Sequence, residues 1–108
     1  LWHFMHPAIV GQLRDALRTT FTGCDALVLD VRGRGGQEAV VDGVYRLFVG
    51  ARAVWDRPVV VLTHAGTRSA KEIFAWRWRR SERGPIVGER TAGAVLGCMF
   101  RRLSDGTV

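Results

Sequence analysis

Ser69 and a glycine-rich segment before it are the residues of this sequence best suited to chemistry. Ser69 stands within Gly66-Thr-Arg-Ser-Ala-Lys-Glu72, between an apolar run and a segment of helical character. A serine at a helix N-terminus lies beside free backbone N–H groups and the positive end of the helix dipole, which suits a nucleophile whose developing charge needs stabilising. The spacing Ser69-x-x-Glu72 is also that of a capping box, in which the serine only caps the helix. On spacing alone, both interpretations stay open.

The glycine-rich segment is Asp30-Val-Arg-Gly-Arg-Gly-Gly36. Three glycines in four positions let the backbone approach another group closely and point its N–H groups outward. The segment is not a dinucleotide-binding fingerprint, because Glu38 stands where the third glycine belongs, and it lacks the Gly-Lys-Ser/Thr of a P-loop. A phosphate cradle of another kind, an oxyanion hole and a tight strand-to-helix turn remain as interpretations.

The remaining polar features carry weaker signals. His64 follows an apolar run five residues before Ser69 and is either a general base or an ordinary strand-end residue. No group of residues has the spacing of a metal site. Cys24 and Cys98 are isolated from each other, and Cys24 is expected to be a small buried apolar residue at the start of a strand.

The basic charge of the chain raises the question of an anionic partner. The formal net charge is +6, from 16 Lys and Arg against 10 Asp and Glu, a balance that favours nucleic acid or anionic lipid. Arginine and aromatic residues alternate towards Arg80, as at many nucleic-acid-binding surfaces. The alternative is an amphipathic helix with Ile73 and Trp76 on one face and Arg77 and Arg80 on a solvated face. A GC-rich genome produces the same arginine-rich composition without any such partner.

The elements that must position these residues alternate helices with apolar strands. Hydrophobic spacing and turn residues predict helices over Pro7–Phe21, Gln37–Val49 and Ser69–Arg80, strands over Ala26–Val31, Val59–Leu62, Ile86–Val87 and Cys98–Leu103, and a hairpin turn at Ser104–Gly106. This order predicts a parallel or mixed sheet covered by helices, and the continuous apolar run Ala26–Val31 is expected to be buried on both faces. A hydrophobic content of 47% argues against disorder, and no apolar run approaches the roughly 18 residues of a membrane span.

Four segments, taken in order, resemble one family. ALVLDVRGRGG, PVVVLTHAGTRSAKEIFAW, PIVGERTAGAVLG and RRLSDGTV resemble the core domain of the tricorn and C-terminal-processing serine peptidases, a core shared by the retinoid-binding modules of the interphotoreceptor protein. The resemblance runs from Asp25 to Val108. It implies an α/β fold, crotonase-like or Clp-protease-like, with a mixed, mostly parallel sheet and flanking helices. It also implies that residues 1–108 are a single domain and a fragment of a tricorn-type serine peptidase core.

The resemblance assigns roles to the two motifs. Ser69 matches the family's nucleophile, and its oxyanion hole would come from the backbone N–H of Ala70 together with Gly35 or Gly36. A capping serine needs no glycine loop one strand earlier, whereas an acyl-transfer site does, so the resemblance favours the nucleophile. The implied function is hydrolysis of a peptide or protein substrate through an acyl-enzyme. The alternatives are an inactive ligand- or peptide-binding module on the same fold and a basic nucleic-acid-binding domain.

Beyond its substrate, the resemblance implies few partners. No metal or organic cofactor, no nucleic acid and no membrane span is expected, and self-association as a homo-oligomer stays open. A targeting signal upstream of Leu1 would decide between the bacterial cytoplasm and the cell envelope.

The sequence departs from the processing-protease branch where that branch carries a lysine general base. Its Gly-Lys pair is Gly93-Ala94 here, so the chain more closely resembles the tricorn branch, whose histidine base would precede Leu1. The glutamate used by that branch would follow Val108, and Glu89 is therefore expected to be structural. We expect little or no peptidase activity from these 108 residues alone.

The glycine loop departs from the family as well. Arg34 replaces the usual asparagine, and Gln37 replaces a third glycine. The long cationic side chain of Arg34 is expected to alter access to the site.

Overall fold

The computed structural model describes residues 4–97 and 103–105, and helices and strands alternate within them. In chain order the elements are α1 (Ala8–Arg18), β1 (Leu27–Asp30), α2 (Glu38–Arg46), β2 (Val59–Thr63), α3 (Ala70–Ser81) and β3 (Ile86–Gly88). The first two helices end three residues earlier than their spacing predicts, because turns replace the last helical residues. No helix of the described part is long and apolar enough to span a membrane.

The end of the chain is described only in part. Of the predicted strand Cys98–Leu103, only Leu103 lies within the described residues, and it has no regular structure. Ser104 and Asp105 form a turn, as the hairpin prediction requires of these two residues. The rest of both predictions lies outside the described residues.

The three strands form one parallel sheet in the order β1-β2-β3. Leu27 of β1 is opposite Val59 of β2, and Val61 of β2 is opposite Ile86 of β3. The predicted α/β architecture, with a parallel sheet and flanking helices, is confirmed. Because parallel strands end at the same edge of a sheet, the segments that follow β1, β2 and β3 meet there, where ligands of such sheets usually bind.

A cluster of four aromatic rings packs α3 against neighbouring parts of the chain. Phe74 and Trp78 of α3 are stacked with ring centroids 5.7 Å apart, and Phe4 and Phe48 contact them edge-on at 5.7 and 5.8 Å. Pairs of this kind contribute roughly 0.5–1.5 kcal/mol each beyond their buried area. The cluster ties the N-terminal segment and the turn after α2 to α3, the helix that begins directly after Ser69.

Two of the predicted burial patterns are wrong. The run containing β1 was expected to be buried on both faces, but Val28 is 65% exposed because the described helices cover only the other face. On α3 the predicted inner residue Trp76 is 60% exposed, whereas Phe74 and Trp78 are fully buried. Residues two positions apart on a helix point to nearly opposite sides, and contact with Phe48 selects the side of Trp78.

Candidate active site

Ser69 immediately precedes α3, after the loop that follows β2. Its backbone has φ 57° and ψ −130°, a conformation that residues other than glycine rarely adopt. A capping serine ordinarily has an extended backbone with negative φ, so capping does not require the conformation seen here. Strained residues cost roughly 1–3 kcal/mol and persist only where their surroundings hold them.

The carboxylate of Glu72 holds Ser69 against the loop that follows β3. Its Oε2 accepts the N–H groups of Ser69 at 3.1 Å and Ala94 at 2.8 Å, and its Oε1 accepts that of Gly93 at 2.6 Å. Ser69 and Glu72 also form the capping box expected from their spacing. The cap therefore forms despite the unusual backbone of Ser69, and Glu72 reaches beyond it to Gly93 and Ala94.

The environment of Glu72 favours its charged form. Burial alone would raise the pKa of this carboxyl group, but hydrogen bonds from the side chain of Thr91 and from the backbone of Gly93, Ala94 and Ser69 outweigh burial and lower it. Ser69 is held a second time by the same loop, since its N–H donates to the carbonyl of Ala94 at 2.9 Å. At neutral pH, a buried carboxylate thus joins the nucleophile candidate to the loop that follows β3, residues 89–97, here called the third loop.

The glycine loop, residues 31–37, lies against the start of α3. Gly36 pairs with Phe4 in a parallel β-bridge. An added Cβ on Gly36 would stand 2.5 Å from Cβ of Phe4 and 3.0 Å from Cβ of Ala70, so only glycine fits between them. Gly35 and Gly36 have φ of 72° and 150°. The structure therefore brings Gly36 and Ala70 together, and Gly35 directly precedes Gly36 in the loop.

Asp30 and Arg32 brace the start of this loop. Asp30 Oδ1 accepts the N–H of Arg32 at 2.9 Å and its Nε–H at 3.0 Å, while Oδ2 accepts its Nη2–H at 2.8 Å. The side-chain hydrogen bond from Arg32 lowers the pKa of Asp30 to about 2. The N–H of Arg68 donates to the carbonyl of Gly33 at 3.3 Å, which joins the loop to the residue before Ser69.

His64 is engaged in the turn that precedes Ser69. Its Nδ1 accepts the N–H of Gly66 at 3.0 Å and lies 3.3 Å from Oγ1 of Thr67. In the neutral ring the hydrogen is then on Nε2. Glu89 contributes to the same loop, because its Oε2 accepts the N–H of Ala65 at 2.9 Å. Both side chains therefore shape the chain between β2 and α3.

The arginines of α3 do not form one free basic face. Arg77 is half-buried and pairs with Glu38 at 3.2 Å and Asp42 at 3.5 Å, both on α2. The guanidinium of Arg80 lies 5.1 Å from the ring centre of exposed Trp76. Carboxylates of α2 thus neutralise part of the surface that the sequence suggested as a nucleic-acid site.

Sequence reasoning missed two features of the site. The first is the reach of Glu72 to Gly93 and Ala94, for which the capping-box motif was the only local signal. The second is Lys71, which is fully buried beside the glycine loop. Its signal in the sequence was its rarity, since it is the only lysine beside 15 arginines.

Sequence comparisons relate the chain to peptidases. The sequence model of Peptidase family S41 matches residues 41–108. The chain is 38% identical over 80 residues to the carboxyl-terminal-processing protease of Synechocystis, and 32% identical over 99 residues to tricorn protease homolog 2 of Streptomyces coelicolor. These alignments cover 74% and 77% of this chain but only 17% and 8% of the two relatives.

The fold of the chain is also similar to that of a solved protease structure. The photosystem II D1 C-terminal processing protease superposes with a TM-score of 0.84 at 30% identity. The match covers 98% of this chain and 33% of that one. The chain therefore spans about a third of a solved relative and less than a fifth of the two sequence relatives.

Proposed function

Because this chain belongs to Peptidase family S41, we propose that it is the part of a serine peptidase that carries the nucleophile and the oxyanion hole. Ser69 is the nucleophile, and the N–H groups of Ala70 and of Gly35 or Gly36 stabilise the oxyanion. The resemblance stated from the four sequence segments is confirmed at the level of the family. The crotonase-like fold of the complete core and the single domain over residues 1–108 belong to the same proposal.

The strained backbone of Ser69 is the observation that carries this proposal. A residue at φ 57°, held by the carboxylate of Glu72 and the carbonyl of Ala94, fits a sharp turn that exposes a nucleophile between a strand and a helix. The first N–H groups of a helix have no intrahelical acceptor, so that of Ala70 is suited to a developing negative charge. Contact between Ala70 and Gly36 places a second donor segment beside it.

The proposed reaction proceeds through an acyl-enzyme. Oγ of Ser69 forms a bond to the carbonyl carbon of the scissile peptide while a general base takes the hydroxyl proton. The carbonyl oxygen becomes the oxyanion, and the C–N bond then breaks as the same base returns the proton to the leaving amine. Water, deprotonated by that base, attacks the ester in the same way and releases the acid and Ser69.

The general base comes from outside these 108 residues in our proposal. Ala94, which stands where the processing-protease branch has lysine, accepts the N–H of Ser69 through its backbone carbonyl, and its methyl side chain cannot take a proton. His64 is engaged with Gly66. A histidine before Leu1 would supply the base, as in the tricorn branch, and the isolated 108 residues would show little or no peptidase activity.

Labelling by a serine-directed fluorophosphonate tests the assignment of Ser69. We expect the full-length protein that contains this chain to be labelled at Ser69 and at neither Ser81 nor Ser104, as peptide mapping would show. Ser69→Ala should abolish labelling and peptide hydrolysis, whereas the exposed Ser104→Ala should change neither. An unlabelled Ser69 in a protein whose relatives react under the same conditions would favour the inactive peptide-binding module instead.

A stability measurement separates a strained nucleophile from a simple cap. The preference of an N-cap for glycine over alanine alone makes Ser69→Gly more stable than Ser69→Ala by about 1 kcal/mol. Relief of the strain at φ 57° should raise this difference to about 2 kcal/mol or more, and urea unfolding of the two variants measures it directly. A difference of about 1 kcal/mol or less would mean that capping alone explains it, and the main support for the proposal would be lost.

A further inference from the structure

Lys71 is buried where a cation is costly. Its side chain is inaccessible to solvent, although lysine is almost never fully buried unless it is paired. Burial lowers the pKa of its ammonium group, and the charge of Asp30 opposes that shift. Neither the capping of α3 nor the proposed reaction uses this group, so its retention calls for another role.

Three contacts connect Lys71 to the glycine loop and to Phe4, which supports that loop. Nζ donates to the carbonyl of Arg32 at 3.1 Å. It lies 5.7 Å from the ring centre of Phe4, the residue that pairs with Gly36. A Cβ added to Gly33 would stand 3.5 Å from Nζ. The ammonium group thus contacts the glycine loop near its start and lies close to Phe4, which pairs with Gly36 near its end.

Arg32 is consequently held from two directions. Asp30 accepts its backbone N–H at 2.9 Å, and Lys71 donates to its carbonyl. The next carbonyl, that of Gly33, accepts the N–H of Arg68. Two consecutive carbonyls of the loop are therefore fixed to residues immediately around Ser69, one of them by a side chain of α3 itself.

We propose that Lys71 is a positioning residue that sets the distance between the two halves of the oxyanion hole. Ser69, Ala70 and Lys71 are consecutive, so one helix start carries the nucleophile, the first N–H donor and the amine that holds the loop with the second donor. This inference rests on the proposed function. Because catalytic geometry tolerates little displacement, a loop released from Lys71 would stabilise the transition state less while still admitting substrate.

Replacement of Lys71 by methionine in the full-length protein tests this role. Methionine keeps the length and apolar stem but removes the donor. We expect kcat on a fluorogenic peptide to fall roughly 10- to 100-fold with KM nearly unchanged. Affinity for a peptide boronic acid, whose adduct with serine mimics the tetrahedral oxyanion, should fall by a similar factor, while affinity for the product peptide stays the same.

Stability and matched variants separate positioning from a general structural role. The midpoint of urea unfolding should change little for Lys71→Met, because loss of the hydrogen bond to the Arg32 carbonyl destabilises the fold while removal of a buried ammonium group relieves its desolvation cost. Arg80→Met removes an exposed cation from the same helix and should leave kcat unchanged. Lys71→Arg keeps a cationic donor and should retain more kcat than Lys71→Met.

Several outcomes would overturn the inference. Unchanged kcat and boronate affinity in Lys71→Met would show that the loop needs no such tie. A fall in kcat that follows an equal loss of stability, or that affects product binding equally, would make Lys71 merely structural. If Lys71→Met does not fold, Lys71→Gln must show the same loss of boronate affinity, because its shorter amide does not reach Arg32. A fully active Ser69→Ala would instead refute the proposed function.

Discussion

The loops that follow β1 and β3 both lie against the start of α3, but side chains of opposite charge hold them there. In the glycine loop, the ammonium group of Lys71 donates to the carbonyl of Arg32. In the third loop, residues 89–97, the carboxylate of Glu72 accepts the N–H groups of Gly93 and Ala94. The side chains of the third loop near Ser69 are small or face solvent, and Leu96 is 94% exposed.

The two loops also contribute differently to the proposed chemistry, which needs both stabilisation of an oxyanion and transfer of a proton. The glycine loop and α3 supply donors for negative charge, and the fold fixes both of them within this chain. The third loop approaches Ser69 closely enough to carry a general base, but Ala94 offers only a methyl group. In our proposal, charge stabilisation is therefore built into these residues, while proton transfer depends on a residue from outside them.

The largest expected effect comes from removing the carboxylate of Glu72, which joins the start of α3 to the third loop. Glu72→Ala leaves the N–H groups of Gly93 and Ala94 without an acceptor and that of Ser69 with the Ala94 carbonyl alone. It should lower the free energy of unfolding by about 3 kcal/mol, with complete loss of peptidase activity. Glu72→Gln keeps one acceptor oxygen and should lose about half as much stability. Chemical denaturation of the purified variants measures both values.

Glu89→Gln is the matched control for this prediction. Glu89 is exposed and accepts a single backbone N–H, so its replacement should cost under about 1 kcal/mol. An equal cost at the two glutamates would mean that the third loop does not depend on Glu72.

Alanine substitution of one glycine in each loop compares how tightly the two loops are packed. Gly36→Ala places a Cβ against Phe4 and Ala70 and should cost about 3 kcal/mol, from overpacking and a positive φ, with a large fall in kcat. Gly93→Ala has φ 72° and no neighbour within 4 Å of the new Cβ, so only the backbone term of about 1 kcal/mol remains. Similar costs at both positions would show that the glycine loop is no more tightly packed than the third loop.

The smallest expected effect is an acid dependence specific to the glycine loop. The folded-state pKa of Asp30 is about 2, below its ordinary 3.8, so its contribution is present above about pH 4 and is lost as the pH falls towards 2. The Asp30 side chain is 41% exposed, and after solvent screening the contribution is about 0.5–1 kcal/mol.

Comparison with Asp30→Asn isolates this contribution from that of Glu72, whose lowered pKa acts in the same direction. The stability difference between the wild type and Asp30→Asn should shrink between about pH 4 and about pH 2. A stability difference that is independent of pH would show that the Asp30–Arg32 ion pair does not stabilise the loop.

Much of the fold was predictable because its signals are local. The runs that became β1 and β2 are apolar and bounded by glycine, proline or charge, and helical spacing marks all three helices. The inner face of α3 was not predictable, because Trp76 and Trp78 carry the same hydrophobic signal on opposite sides. Only the rings of Phe4 and Phe48, distant in sequence, decide which of the two is buried.

The sequence by itself determined the family, the candidate nucleophile Ser69 and the absence of lysine at Ala94, since each is written in a short motif. The tertiary structure alone decided that Glu72 reaches Gly93 and Ala94, and that Lys71 lies under the glycine loop. These contacts join residues more than 20 positions apart, and their strength comes from burial, which removes competing water from the charged groups. A local sequence pattern shows neither which distant residues meet nor which polar side chains become buried.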